Sequence, residues 1–146
     1  MIKIICVGKI KEKYLKEAIE DYKKRISKYT KIEIIEIEDE SNNALKIEGE
    51  KILKKIKDDY VITLEIEGKK ISSEQLSDKI DKTLIINPNI TFIIGSSYGL
   101  DKKVKERSNY SLSFSDLTFP HGLFRIILLE QIYRAFKIIN NETYHK

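Results

Sequence analysis

The chain has 146 residues, one domain's worth of sequence at ~150 residues per domain. Its hydrophobic content of 41% supplies a core that needs neither disulfides nor a structural metal. Charged residues make up 34%, but 27 Lys and Arg stand against 23 Asp and Glu for a net charge of +4, which excludes a disordered polyelectrolyte and permits a polyanionic partner.

Residues 2–7 form a short β-branched run ending at Gly8, the signature of a buried strand. The run is too short for a signal-peptide core, and a Lys-rich segment follows it. Cys6, the only cysteine, lies inside it, where a thiol packs like a small hydrophobe and a reducing cytosol is the simplest setting. Residues 11–29 place Leu15, Ala18, Ile19, Tyr22 and Ile26 at helical spacing between charges, an amphipathic helix. Ile32, Ile34, Ile35 and Ile37 mark a second strand. Ser41, Asn42 and Asn43 offer N-caps for a helix holding Leu45, Ile52, Leu53 and Ile56.

Residues 60–66 form a third strand that turns at Glu67-Gly68-Lys69. Ser72 or Ser73 with Glu74 and Gln75 marks a helix start, and that helix runs through Leu76 and Ile80. Residues 90–94 form a fourth strand, stopped by Gly95. A short helix over 101–107, an extended piece over 110–114 and a long helix over about 121–139 complete the chain. This alternation predicts a single α/β domain over residues 1–146, with a parallel sheet covered by helices. The last helix carries apolar residues on more than one side, so a contact beyond the sheet, such as a dimer partner, is expected. No apolar run approaches the 18 residues of a membrane span, and the expectation is a soluble cytoplasmic protein.

In an open parallel sheet, ligands bind beyond the carboxyl ends of the strands. Three segments are expected to meet there: residues 64–68, the Gly95-Ser96-Ser97-Tyr98-Gly99 loop, and residues 114–122. The glycine loop suits close backbone approach to a ligand, but it is neither a Walker A loop nor GxGxxG, and an ordinary strand-to-helix turn explains it as well. Phe114-Ser115-Asp116-Leu117-Thr118-Phe119-Pro120-His121 mixes aromatic and hydrogen-bonding residues ahead of a helix start. Thr118 or Asp116 capping that helix explains part of it, and the helix dipole keeps a His at that position toward neutral. Arg125, Arg134 and Lys137 read as snorkelling or ion-paired side chains or as phosphate contacts. Tyr144-His145-Lys146 combines stacking surface, imidazole and a cation, a nucleic-acid contact set. With two histidines in the whole chain, a metal site of three or four ligands is not expected. Residues 100–146 hold eight Lys or Arg against five Asp or Glu, which puts most of the basic excess in the same third.

Taken together, Phe92-Ile93-Ile94-Gly95 through Gly99-Leu100, Ser111-Leu112-Ser113, Leu117-Thr118-Phe119-Pro120-His121, Leu129-Glu130-Gln131-Ile132-Tyr133-Arg134-Ala135 and Tyr144-His145-Lys146 resemble the ribosomal RNA large subunit methyltransferase H family. Val7-Gly8-Lys9 and Leu64-Glu65-Ile66-Glu67-Gly68-Lys69 fit as well, so the likeness spans essentially the whole chain. The resemblance implies a SPOUT-class fold with a carboxy-terminal trefoil knot, and a homodimer that uses S-adenosylmethionine to methylate N3 of a pseudouridine in 23S rRNA on assembled ribosomes. It implies a methyl-donor site on Leu64, Gly95, Phe114, Ser115, Asp116, Leu117, Thr118 and Phe119. His145, on a tail folded over the pocket, is then the expected proton relay, with His121 second. Arg125, Arg134 and Lys146 would hold phosphates or steady an imide anion, beside Tyr144. Two positions depart from the family's glycines: Ser96, and Asn141, whose side chain tolerates left-handed backbone. Two rivals stand beside this reading: a non-catalytic RNA-binding or ribosome-associated factor, and a nucleotide-binding enzyme on a flavodoxin-like sheet.

Overall fold

Side chains alternate faces along a strand, and in β1 (Ile2–Val7) this sorts Ile2, Ile4 and Cys6 to one core and Ile5 and Val7 to another. A computed structural model describes residues 1–146 and shows what lies on each side. In chain order the elements are β1, α1 (Lys13–Ile26), β2 (Ile32–Ile37), α2 (Ala44–Ile56), β3 (Tyr60–Lys70), α3 (Ser73–Ile86), β4 (Ile90–Ile94), α4 (Lys102–Arg107), β5 (Tyr110–Ser113) and α5 (His121–Ile139). The five strands form one sheet in the order β2-β1-β4-β3-β5, and every neighbouring pair is parallel. Helices α1, α3 and α5 cover the first face and α2 and α4 the second. The innermost strand, β4, is buried along its whole length, as a strand covered on both sides must be.

The local signals read from the sequence largely hold. Ser72 caps α3 in a capping box with Gln75, Cys6 is fully buried with its thiol pushed up to about 12 by burial, and Asn141 adopts φ +55°. Two expectations change. Asn43 precedes α2 but makes no side-chain cap. The residue before α5 is Pro120, again without a side-chain cap, so neither Thr118 nor Asp116 caps that helix. Most of the apolar residues of α5 are covered within the chain, with Leu128, Leu129, Ile132, Ala135 and Phe136 buried and the helix between α1 and α3 on the sheet, whereas Leu123 stays 44% exposed. No helix is long and apolar enough to cross a membrane.

Candidate active site

The pairing of β3 with β5 breaks at one place. Leu64 and Lys69 both align with Leu112, so residues 65–68 leave the ladder as an excursion. Gly68 brings it back, since a Cβ there would lie 2.8 Å from the Leu112 carbonyl carbon. At the end of β4 the chain turns just as tightly. The Gly99 N–H donates to the Ser96 carbonyl at 2.9 Å, and a Cβ on Gly95 would stand 2.4 Å from the Gly99 oxygen. Ser96 tightens the turn further, its Oγ accepting from the Tyr98 N–H at 3.3 Å.

These two features and the loop after β5 enclose a cleft of about 470 Å³, within the size range of small-molecule sites. One wall is aromatic: the Phe119 and Phe124 rings stack 5.8 Å apart, and Phe114 meets Phe124 edge-on at 5.2 Å. The loop is held open by its own hydrogen bonds, from Ser113 Oγ to the Ser115 carbonyl at 3.1 Å and from the Leu117 N–H to Ser115 Oγ at 3.0 Å. Opposite lies a charged group. Glu65 accepts from the Thr63 and Ser111 hydroxyls at 2.8 and 2.6 Å, and Lys105 approaches Glu65 at 3.4 Å and Glu67 at 3.3 Å. The backbone N–H of Glu67 and then Lys105 hold that carboxyl below the usual range, so this side of the cleft stays anionic.

Leu64, Gly95, Phe114, Ser115, Leu117, Thr118 and Phe119 all line this cleft, and His121 borders it from the start of α5. Asp116 does not: its exposed carboxylate turns outward to Lys70 at 2.5 Å. Lys105 and Phe124 line the cleft as well. Lys105 belongs to a run of surface lysines, and Phe124 is one more apolar residue of a helix, so spacing marks neither.

The other candidate residues lie elsewhere. Arg134 sits thirteen residues beyond His121 on α5, about 20 Å along the axis at ~1.5 Å per residue. Its Nε and Nη2 donate to Glu130 Oε1 at 2.9 and 2.5 Å, and its Nη1 meets His145 Nδ1 at 3.0 Å. Arginine has no acceptor, so Nδ1 accepts and Nε2 carries the hydrogen, donating a hydrogen bond to Glu74. Both ring nitrogens of His145 are thus engaged. Tyr144 donates to Glu130 at 3.2 Å under the Arg134 guanidinium, and burial, then Glu130, push its phenol up so that it stays a donor. Lys146 is exposed. Within one chain the tail therefore lies against α3 and α5, and not over the cleft as expected. Arg125 also differs from the phosphate contact expected of it. It is 3% exposed, with Nη1 donating to Glu36 at 2.7 Å and Nη2 to the Val7 and Gly8 carbonyls at 3.3 and 2.7 Å. It pins α5 to the ends of β1 and β2. No group of three or more His, Cys, Asp or Glu is placed to hold a metal ion.

A parallel sheet with a glycine-turned cleft over β3, β4 and β5 defines an α/β protein with a small-molecule site at its carboxyl edge. The chain belongs to the SPOUT methyltransferase family, whose model, described as "Predicted SPOUT methyltransferase", matches residues 1–145. Among curated relatives, the ribosomal RNA large subunit methyltransferase H of Clostridium botulinum (strain Alaska E43) is 57% identical, with 99% of each chain covered. That of Caldicellulosiruptor saccharolyticus is 52% identical over all of both chains. Solved structures share the fold at low identity. A "probable methylase family protein" of Haemophilus influenzae matches 99% of this chain and 70% of its own at TM-score 0.62 and 14% identity. A tRNA (m1G37) methyltransferase of Aquifex aeolicus matches 91% of this chain and 69% of its own at TM-score 0.54 and 15% identity.

Proposed function

We propose that this chain transfers a methyl group from S-adenosylmethionine to N3 of a pseudouridine in 23S rRNA of the large ribosomal subunit, acting in the cytoplasm on assembled ribosomes. The observation that carries the reading is the convergence of Leu64, the Gly95 turn and the 114–119 loop on one cleft, in a chain 57% identical to a ribosomal RNA large subunit methyltransferase H. The cleft suits the donor chemically. Aromatic and aliphatic walls from Phe114, Phe119 and Leu64 match a purine ring, and the carboxylates of Glu65 and Glu67 favour a cationic ligand.

When bound, S-adenosylmethionine supplies a methyl group on cationic sulfur: the N3–carbon bond forms as the carbon–sulfur bond breaks, its electron pair stays on sulfur, and the N3 proton leaves to a base. The protein's part is alignment and electrostatics. His121, at the uncapped start of α5, borders the cleft and holds the acceptor. His145 relays the proton from a second copy of the chain, because about 20 Å separates Arg134, its partner, from the start of its own α5. In that homodimer Arg134 orients His145, and Tyr144 and Lys146 meet RNA beside it. The exposed Tyr98, Leu117 and Leu123 around the cleft offer apolar surface for the second copy. The reading extends to a trefoil knot in the carboxy-terminal segment.

The test is methyl transfer from labelled S-adenosylmethionine to ribosomes from cells lacking this protein, with the modified base mapped and donor binding measured by calorimetry. Donor binding together with a label on one pseudouridine of the large subunit is the expected result. An absence of binding heat would favour the non-catalytic RNA-binding reading instead.

A further inference from the structure

The carboxyl ends of β1 and β2 and the start of α5 border a second cavity of about 1060 Å³. It lies across the Gly95 turn from the first, and both cavities are lined by Ser96, Ser97 and His121. Methyl transfer needs reacting atoms within ~3–3.5 Å of each other, so a donor cleft requires an acceptor space directly beside it. Resting on the methyltransferase reading of the first cavity, we propose that this second groove binds the acceptor nucleotide of the RNA, with the target base inside and the flanking phosphates at its rim.

The groove's charges are arranged for that division. Its inner wall is acidic, with Glu36, Glu38 and Asp39 at the end of β2, and repels phosphate. Lys9 and Lys11 are exposed at its edge and pair with no carboxylate. Tyr14 stands 69% exposed at the same edge, a free ring on which a base can stack. Glu36 is already committed, accepting from Arg125 and from the Ile10 N–H at 2.9 Å, which leaves Glu38 and Asp39 as open acceptors. Behind them Glu48 is 2% exposed, and its Oε1 has no partner. Burial, opposed by the Glu40 N–H and reinforced by Asp39, pushes the Glu48 carboxyl up. Arg125 also lines the groove, and its buried Nε has no hydrogen-bond partner.

On the methyltransferase reading, these open acceptors suit a base with a second ring N–H. Pseudouridine carries two ring N–H donors flanking a carbonyl, whereas uridine has one. The strand order puts the end of β2 two strands from β4, about 10 Å at ~4.8 Å per strand. One N–H therefore faces the shared wall and the donor, while the other reaches Glu38 and Asp39. Asp39 thus reads the N–H that uridine lacks.

The test uses the full-length protein and ribosomes lacking the modification, with Tyr14→Ala, the double variant Lys9→Ala with Lys11→Ala, and Asp39→Ala. All four residues are exposed, so the fold tolerates their loss. Tyr14→Ala lowers kcat/KM for ribosomes about tenfold, with S-adenosylmethionine affinity unchanged. The Lys pair flattens the salt dependence by about one unit of slope per lysine. Asp39→Ala narrows the preference for a target pseudouridine over uridine at the same position. Unchanged efficiency in the Tyr14 and Lys variants, or an unchanged preference in Asp39→Ala, overturns the proposal. So does conversion of a dimer to a monomer in sedimentation, which would give the groove to the subunit interface. A wild-type protein that methylates no RNA sinks the methyltransferase reading as well, and so separates the two failures.

Discussion

The cleft and the carboxy-terminal tail both hang on α5, at opposite ends, and are built in opposite ways. The cleft is made of turning backbone and aromatic rings. Gly68 and Gly95 allow the close approaches, and the walls face one another with space between them. In the tail, hydrogen bonds run in one chain from Glu74 through His145 and Arg134 to Glu130, which Tyr144 also reaches. The difference teaches that one chain encloses a small-molecule-sized cleft by itself, while its tail residues satisfy one another's hydrogen bonds at the far end of the same helix.

The largest effect that would break this contrast is at Gly95. In Gly95→Ala the new methyl meets the Gly99 oxygen at 2.4 Å, the turn must open, and overpacking of this kind costs about 1–3 kcal/mol. Calorimetry should show S-adenosylmethionine binding lost and a thermal melt should show a lower Tm; wild-type affinity would mean that the turn does not shape the cleft. Next in size is His145→Ala, for which turnover should fall by roughly 10²–10⁴ as for loss of a positioned acid–base group, with donor affinity kept. Mixing His145→Ala with Gly95→Ala protein sharpens the contrast. Recovered activity assigns the tail to the partner's cleft, and no recovery returns it to its own.

The smallest effect concerns the tail's anchor. The Glu74 carboxyl is held below the usual carboxylate range by its own backbone N–H at the start of α3, then by His145 and Ser72. A depressed folded value means that the stabilisation is complete above the ordinary pKa of ~4.3 and is lost as pH falls through the lower folded value. Hydrogen exchange at residues 143–146 should rise on acidification below that range, and Glu74→Gln should remove the acid step. An unchanged profile would show that Glu74 does not fasten the tail.

What one stretch of chain can express was legible in the sequence. The bounds of α5 and the Ser72–Gln75 box depend on neighbours a few residues away, and periodicity or capping preference reports them, while the left-handed Asn141 follows from the glycine that the resembled family carries there. The three cleft segments were legible for a related reason: in a parallel sheet every strand's carboxyl end faces the same edge. Partners distant in sequence were not. Arg125 reads as a snorkelling, ion-paired or phosphate-binding side chain until the fold brings Glu36, Val7 and Gly8 to it, and Asp116 reads as a cap until Lys70 takes its carboxylate. Periodicity shows that α5 has apolar residues on more than one side, but only the fold shows that α1 and α3 take most of them and leave Leu123 exposed.

By itself, then, the amino-acid order determined which segments are strands and helices, which faces are apolar, and that Leu64, Gly95 and the 114–119 loop end at one edge. Only the tertiary structure decided the strand order β2-β1-β4-β3-β5, the second groove beside the first, and the docking of His145 on Glu74 and Arg134 away from the cleft. Element type follows from local spacing, whereas a charged side chain goes to whichever opposite charge or open carbonyl the packed elements bring within about 3 Å, and no pattern along the chain encodes that distance.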